Sequence, residues 1–332
     1  DDGQLPDDLV ELPRPVFPGE YLVGHLGFGR PLTRGKPRFP LKSKVYLNTI
    51  RPNIKEKEYN AAVLARNRSL AQIHLAVFLF GFPGLFGKWL DLAPVLIVFG
   101  RVVFAGLTLA AVMAAGKRTF RLGPGRDLVQ FLACGFILAA HWTMFFKSVQ
   151  VSSVAVGLLA YSSFPVFTAF LEPLLMRERW DPASLIYAFF CVIGIGLIVP
   201  GFDLTDSVVR GVLWGLGAGL TFALLSVLNR DLAGRHPSLK VVFYQDLFAG
   251  LVLLPAVLRG GLPLSGRDWA LIAVLGIFCT ALAHTLFIEG MKRAGARTAS
   301  VLSTLEPVYG ILLALVFLKE SPSLRTVSGG AI

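Results

Sequence analysis

Charge is what this chain has least of. Only 16% of its 332 residues are charged, while 54% are hydrophobic. Soluble domains carry about a quarter charged residues. Apolar surface with so little charge has nowhere to go in water, so a pair of soluble domains is excluded. Cysteine is scarce too. Cys134, Cys191 and Cys279 each lie in an apolar run, and none forms a CxxC pair. That pattern excludes a disulfide framework and reads as small buried apolar residues. Clusters of His, Cys and acidic residues at metal-ligand spacing are missing, so neither a metal nor a cofactor is expected. The first methionine is Met113. The chain therefore reads as a fragment, or as starting at an unusual codon.

Acidic residues are fewer than basic ones, and the net charge is +11. In a soluble chain this would raise nucleic-acid binding. Here the basic residues sit in short clusters between apolar runs, with no basic face interleaved with aromatics. Nucleic acid is not an expected partner; the lipid bilayer is.

Residues 1–70 differ from the rest. They hold "LPDDLVELPRP", "PRFPLKSK" and "RPNIKEKEYN", rich in proline and charge without sustained periodicity. They read as a poorly ordered amino-terminal tail with a short amphipathic piece near 61–70. From 71 onward, apolar segments follow one another. A helix needs about 20 apolar residues to span a bilayer. The expected spans are 71–90, 93–115, 127–147, 151–176, 183–200, 209–230, 239–258, 268–289 and 296–318. A tenth begins near 324 and is cut off at "VSGGAI". With the amino end inside, cytoplasmic loops hold 12 Lys and Arg against 7 in the opposite loops, which supports that orientation.

The chain also repeats itself. "SSFPVFTAFLEPLLMRERW" begins at Ser162 and "STLEPVYGILLALVFLKES" at Ser303. Pro165 and Pro307 are 142 apart, as are Glu178 and Glu320. "FAGL" recurs at a separation of 144, and "HWTMFFKSV" and "HTLFIEGM" at 143. Several markers in one order indicate a duplicated unit. Each unit holds five spans, and an odd number inverts the second copy in the membrane. The expectation is an all-α integral membrane protein, a ten-helix bundle of two inverted five-helix repeats. The first repeat covers 71–200; the second covers 209–332 and is truncated in its last helix. Pro165 and Pro307 are expected to kink their helices.

On these residues the chain resembles the EamA type of the drug/metabolite transporter superfamily, over about 71–332. The likeness rests on the five-plus-five repeat, the arginine in "FGRVVFAGL", and the proline-bearing spans closing with "RERW" and "KES". The resemblance implies ten helices, both termini cytoplasmic, and secondary transport of a small metabolite in the cell membrane (the inner membrane in a bacterium). Many members resemble exporters of amino acids or related compounds. The competing expectation is a membrane-embedded enzyme using intramembrane His and acidic residues. That would require acid, base and nucleophile gathered at one depth, which nothing here signals.

Charges inside spans cost about 2.5–3.5 kcal/mol at the centre on insertion scales, so each needs a reason. Glu306 precedes Pro307 in the ninth span, beside freed backbone, and suits a cationic group or a proton; otherwise it pairs with another helix. Arg101 in the second span suits an anionic substrate group. A structural ion pair with Asp246 in the seventh span is the preferred reading for both, though each stays a candidate for binding or coupling. His141 and His284 occupy matching spans and titrate near neutrality, so they could couple protons or simply pack. Trp142 and Tyr161, with Trp214, Tyr244 and Tyr309, could line a cavity. Glu172, near Arg177, reads as interfacial. Glu178 and Glu320 would orient loop arginines or cap neighbouring helices. Gly211, Gly215 and Gly219 form a small-residue face for close helix approach. The expected partners are a small-molecule substrate and a coupling proton, in a monomer or homodimer.

Overall fold

The computed structural model describes residues 43–332 except 124, 177–179, 181, 200, 202, 262 and 263. Residues 1–42 and Glu178 lie outside the described residues. Side chains are described from Tyr59 onward, apart from a few isolated positions. Residues 56–332 form one compact unit, and residues 43–55 belong to a separate one.

Every regular element among the described residues is helical. The first is α1, Ser43–Phe80. Helix therefore begins well before residue 70, where a poorly ordered tail is expected from composition. Residues 61–70 are rich in Ala, Leu and Arg, all strong helix formers. Next come α2 (Pro83–Trp89), α3 (Pro94–Ala115) and α4 (Arg126–Val151). They are followed by α5 (Val154–Tyr161), α6 (Phe164–Met176) and α7 (Pro182–Ile198). The second half holds α8 (Ser207–Arg235), α9 (Ser238–Gly260), α10 (Gly266–Gly276), a π-helical turn at Ile277–Leu282 and α11 (Ala283–Ala294). It closes with α12 (Ala296–Ser303), α13 (Glu306–Leu318) and α14 (Leu324–Ala331).

Eight of these segments, some built from two helices, are long and apolar enough to cross a membrane. A ninth, Ala188–Ile198 within α7, is apolar but shorter. The 17 residues of α7 rise about 26 Å at 1.5 Å each, just under the hydrocarbon thickness of about 30 Å. The helix expected near 324 is present as α14, eight residues long. It packs on α7, where Gly194 and Gly329 meet backbone to backbone.

The outer face confirms the solvent this fold requires. Leu107, Phe136, Phe189, Leu258 and Val316 are each more than 60% exposed. A water-soluble domain would not leave such broad apolar surface bare. Lipid accepts it, because helices satisfy their own backbone hydrogen bonds.

Inside, α4 packs against α8 and α9, and α3 against α9 and α10. The glycine face of α8 sets how closely α5 lies. A Cβ at Gly211 would meet Ser152, one at Gly215 would meet Ala160, and one at Gly219 would meet Ser163. Ser148 Oγ donates to Gly211 O at 2.6 Å across the same seam. The absent side chains thus bring α8 onto the broken fourth span.

Three spans are interrupted. The first breaks at Gly81 and Phe82, with Pro83 opening α2. The fourth breaks at Ser162 and Ser163, before Phe164 and Pro165. The ninth breaks at Thr304 and Leu305, before Glu306 and Pro307. The cause is local. A proline has no N–H and clashes with the carbonyl one turn back, which weakens the preceding turn, while proline is tolerated in the first turn of a new helix. Pro173 and Pro255 stand inside α6 and α9 without ending them, so proline favours these breaks without dictating them. The interrupted turns tighten instead. Ser163 N bonds Ala160 O at 3.2 Å, Thr304 N bonds Val301 O at 3.3 Å, and Leu305 N bonds Leu302 O at 3.1 Å. The three breaks are neighbours: Gly81 lies against Tyr309 and Gly310, and Gly310 lies against Leu158.

Candidate functional site

A cavity of about 40 Å³ opens where the three breaks converge. Phe80 and Pro83 reach it from the first break, Tyr161 from the fourth and Glu306 from the ninth. Unbroken helices supply the rest: Arg101 from α3, His141, Trp142 and Phe145 from α4, Phe222 from α8 and His284 from α11. Both halves of the chain contribute. The space is enough for a few waters and too small for an organic solute.

Arg101 is the largest side chain buried below 2% exposure. Its Nε donates to Thr280 Oγ1 at 3.0 Å. Its guanidinium carbon lies 3.8 Å from the centre of the Trp142 ring, a close cation–π distance. One terminal nitrogen, Nη1, has no partner. Thr280 sits in the π-helical turn and donates its hydroxyl hydrogen to Leu275 O at 2.9 Å. The turn therefore delivers to Arg101 a hydroxyl whose own hydrogen is already committed. Such turns are common at functional sites.

The expected ion pair between Arg101 and Asp246 is not formed. Among the described residues, Arg101 makes no ion pair and neither oxygen of Asp246 has a hydrogen-bond partner. The guanidinium is held on the Trp142 face and by Thr280 instead. Asp246 is buried in α9 and does not line the cavity, whereas Arg101, Glu306, His141, His284, Trp142 and Tyr161 do.

Glu306 is the first residue of α13 and is buried. Among the described residues it has no hydrogen-bond or ion-pair partner. It stands at a helix amino end, where the aligned backbone dipoles favour negative charge. It also shares the cavity with Arg101, so the wall carries one acidic and one basic group.

The two histidines differ. His141 Nδ1 lies 2.9 Å from Ala218 O, so that nitrogen carries the hydrogen and Nε2 is the acceptor. Its ring packs against Tyr161 and Phe222 at 5.4 and 5.1 Å. His284 makes no hydrogen bond among the described residues and is held by rings alone, Phe80 at 5.1 Å and Trp142 at 5.2 Å.

The other aromatic candidates lie elsewhere. Tyr244 donates to Phe120 O, Tyr309 packs on Phe78 at 5.6 Å, and Trp214 is exposed. Glu172 pairs with Arg230 at 2.5 Å. Glu320 caps a neighbouring helix: its Oε1 accepts from Val154 N, the first residue of α5, at 3.0 Å. Phe80, Pro83, Phe145 and Phe222 complete the cavity and were not candidates from sequence. Phe145 could have been found, since it lies one turn after His141. The "GFP" at Gly81–Pro83 carried the signal for the first break.

The two ends of the bundle are closed differently. At one end, Arg235 bridges Asp127 and Asp231, Arg126 reaches Asp231 at 3.3 Å, and His236 Nε2 lies 2.8 Å from Asp127. At the other, Lys88 Nζ donates to Ser152 O at 2.7 Å and Gln150 to Leu92 O at 2.8 Å. No metal-binding group of three or more His, Cys, Asp or Glu occurs among the described residues.

Comparison with known proteins agrees with this architecture. The chain is 27% identical over 283 residues to the uncharacterized transporter YxxF of Bacillus subtilis, covering 84% of this chain and 88% of that one. It is 25% identical to an S-adenosylmethionine uptake transporter of Rickettsia felis, over 71% of this chain and 79% of that one. It is 26% identical to the pseudopaline exporter CntI of Pseudomonas aeruginosa, over 71% and 82%. The model of the EamA-like transporter family matches twice, over residues 68–199 and 209–332. A multi-pass helical membrane protein with three broken spans around a cavity that holds Arg101 and Glu306, matched by that model in both halves, belongs to the EamA-like transporter family.

Proposed function

We propose that this membrane transporter moves a small organic metabolite, an amino acid or a related compound, out of the cell by alternating access. The observation that carries the reading is the meeting of three broken helices at one cavity with Arg101 and Glu306 in its wall. Transporters bind solutes near the midplane at discontinuous helices, where half-helix ends and freed backbone meet charged groups. Arg101 takes an anionic group, Glu306 takes an ammonium, and Trp142, Tyr161, His141 and His284 bound the rest. Two five-helix units, 71–200 and 209–332, in opposite orientation then exchange their packings to open one side or the other. Both termini face the cytoplasm. The kinked spans at Pro165 and Pro307 supply the bending.

The relatives include one named for uptake and one named for export. Direction is therefore a property to measure for this chain. The test is transport in proteoliposomes with a panel of amino acids and related metabolites, each with and without a pH gradient. Accumulation of one class, lost in Glu306→Gln, supports the reading. Uptake unchanged by Glu306→Gln across solutes and pH removes Glu306 from the mechanism. Labelling that finds the two termini of the full-length protein on opposite faces sinks the ten-span topology.

A further inference from the structure

The buried charge that the cavity leaves unused is Asp246. It lies in the middle of α9, 1% exposed, and both carboxylate oxygens lack a hydrogen-bond partner. Its neighbour Gln245 is tied to Asn229. Asp246 faces elsewhere: Gly250, one turn later on the same side, rests against Val102 of α3. Asp246 is thus turned toward the helix that carries Arg101.

An ionised carboxylate with no partner in an apolar interior is very unfavourable, and such a group takes up a proton instead. Arg101, for its part, keeps Nη1 unpaired while Thr280, Trp142 and, at 3.5 Å from Nη2, the carbonyl of Cys279 hold the rest of the guanidinium. Two complementary groups on packed helices each hold unmet bonding capacity, and they are not joined. The other elements packed on α9 carry few rivals at this level. They are Cys134 and His141 on α4 and His284 on α11; Glu289 of α11 meets the start of α9 at Ser238, and the charges of α8 near α9, Arg230, Asp231 and Arg235, lie in its last two turns.

We propose that Asp246 is a proton-binding site whose proton alternates with Arg101. With the proton bound, Asp246 is neutral and Arg101 stays on Trp142 in the cavity wall. On release, the O–H bond breaks, its electron pair stays on the carboxylate and the proton passes to water. Arg101 then turns Nη1 to Asp246 and leaves the cavity, so that Glu306 faces the solute alone. Proton and solute are thereby linked, because each changes the affinity for the other by the same factor. The use of this site in a transport cycle rests on the function proposed above; its existence does not.

The test needs no solute. Infrared difference spectra of the full chain in lipid nanodiscs are recorded across a pH titration, in water and deuterium oxide. The expected result is a carboxylic-acid C=O band at neutral pH that Glu306→Gln keeps in part, and whose remaining component is lost when Asp246→Asn is added to Glu306→Gln. Emission from Trp142, taken as the difference from Trp142→Phe, should change as that band disappears. A Glu306→Gln protein without the band, or a band that persists when Asp246→Asn is added to it, overturns the proposal. If Asp246→Asn does not fold, the other two spectra still decide: a band lost in Glu306→Gln belongs to Glu306, and the proposal fails. Absence of transport with these spectra intact would instead count against the function proposed above.

Discussion

The fourth and ninth spans are built to one plan and finished differently. Each is an eight-residue helix, a two-residue interruption and a 13-residue helix whose second residue is proline. Phe164 opens the second piece of the fourth span, and Glu306 opens that of the ninth. Phe164 is packed among rings, 5.5 Å from Tyr161 and 5.0 Å from Phe222. Glu306 has no protein partner and meets the cavity. The caps differ as well. Ser153 accepts from Val156 N and Glu320 from Val154 N at the start of α5, whereas α12 starts on Gly295 with no side-chain cap. Shared backbone chemistry makes the two breaks; a single side chain at the same register makes one of them polar. A duplicated scaffold can thus carry an asymmetric site without changing its helices.

Four substitutions would break or sharpen this contrast. Phe164→Glu gives the fourth span a second buried carboxylate without a partner. It should destabilise the protein by about 3 kcal/mol, read as loss of thermal stability in detergent. Glu306→Gln, which keeps the shape and removes the charge, should weaken binding of a cationic solute about 100-fold, as expected when one member of a buried charged contact is lost. Equilibrium binding or half-saturation of uptake measures it, and fold stability should hold. Gly215→Val pushes α8 off Ala160 and should cost about 2 kcal/mol by overpacking; the equivalent change at Gly234, with open space around it, serves as the control. Glu320→Ala removes a cap from α5 and should cost about 1 kcal/mol, seen as faster amide exchange at Val154. A Glu320→Ala protein with unchanged exchange there would show that Ser153 alone holds the turn.

How much of this was legible follows from how local each cause is. The repeat spacing marked the breaks at Pro165 and Pro307 and set these two prolines apart from Pro173 and Pro255, which stand inside intact helices. The α8 glycine face was equally readable, because a missing Cβ acts at its own position. The long-range outcomes were not. Arg101 and Asp246 invite pairing on sequence, but pairing depends on where a guanidinium points, and the Trp142 face and Thr280 compete for it. Phe222 enters the cavity only because α8 is drawn onto α5, which no single segment reveals. The start of α1 near Ser43 was hidden by the prolines and charges around it, although strong helix formers follow.

The π-helical turn in the eighth span has a consequence for phase. An α-helix advances about 100° per residue, and a turn closed over five residues rather than four inserts one residue of delay. Everything after Leu282 is rotated accordingly against everything before Ile277. His284 therefore faces Trp142 because the helix has slipped one step. Removing one residue between Ile277 and Leu282 would restore regular winding and swing His284 off the cavity wall, with no side chain of the site altered. The eighth span behaves as a shaft with an offset cut into it, and that offset aligns the second half of the molecule with the first.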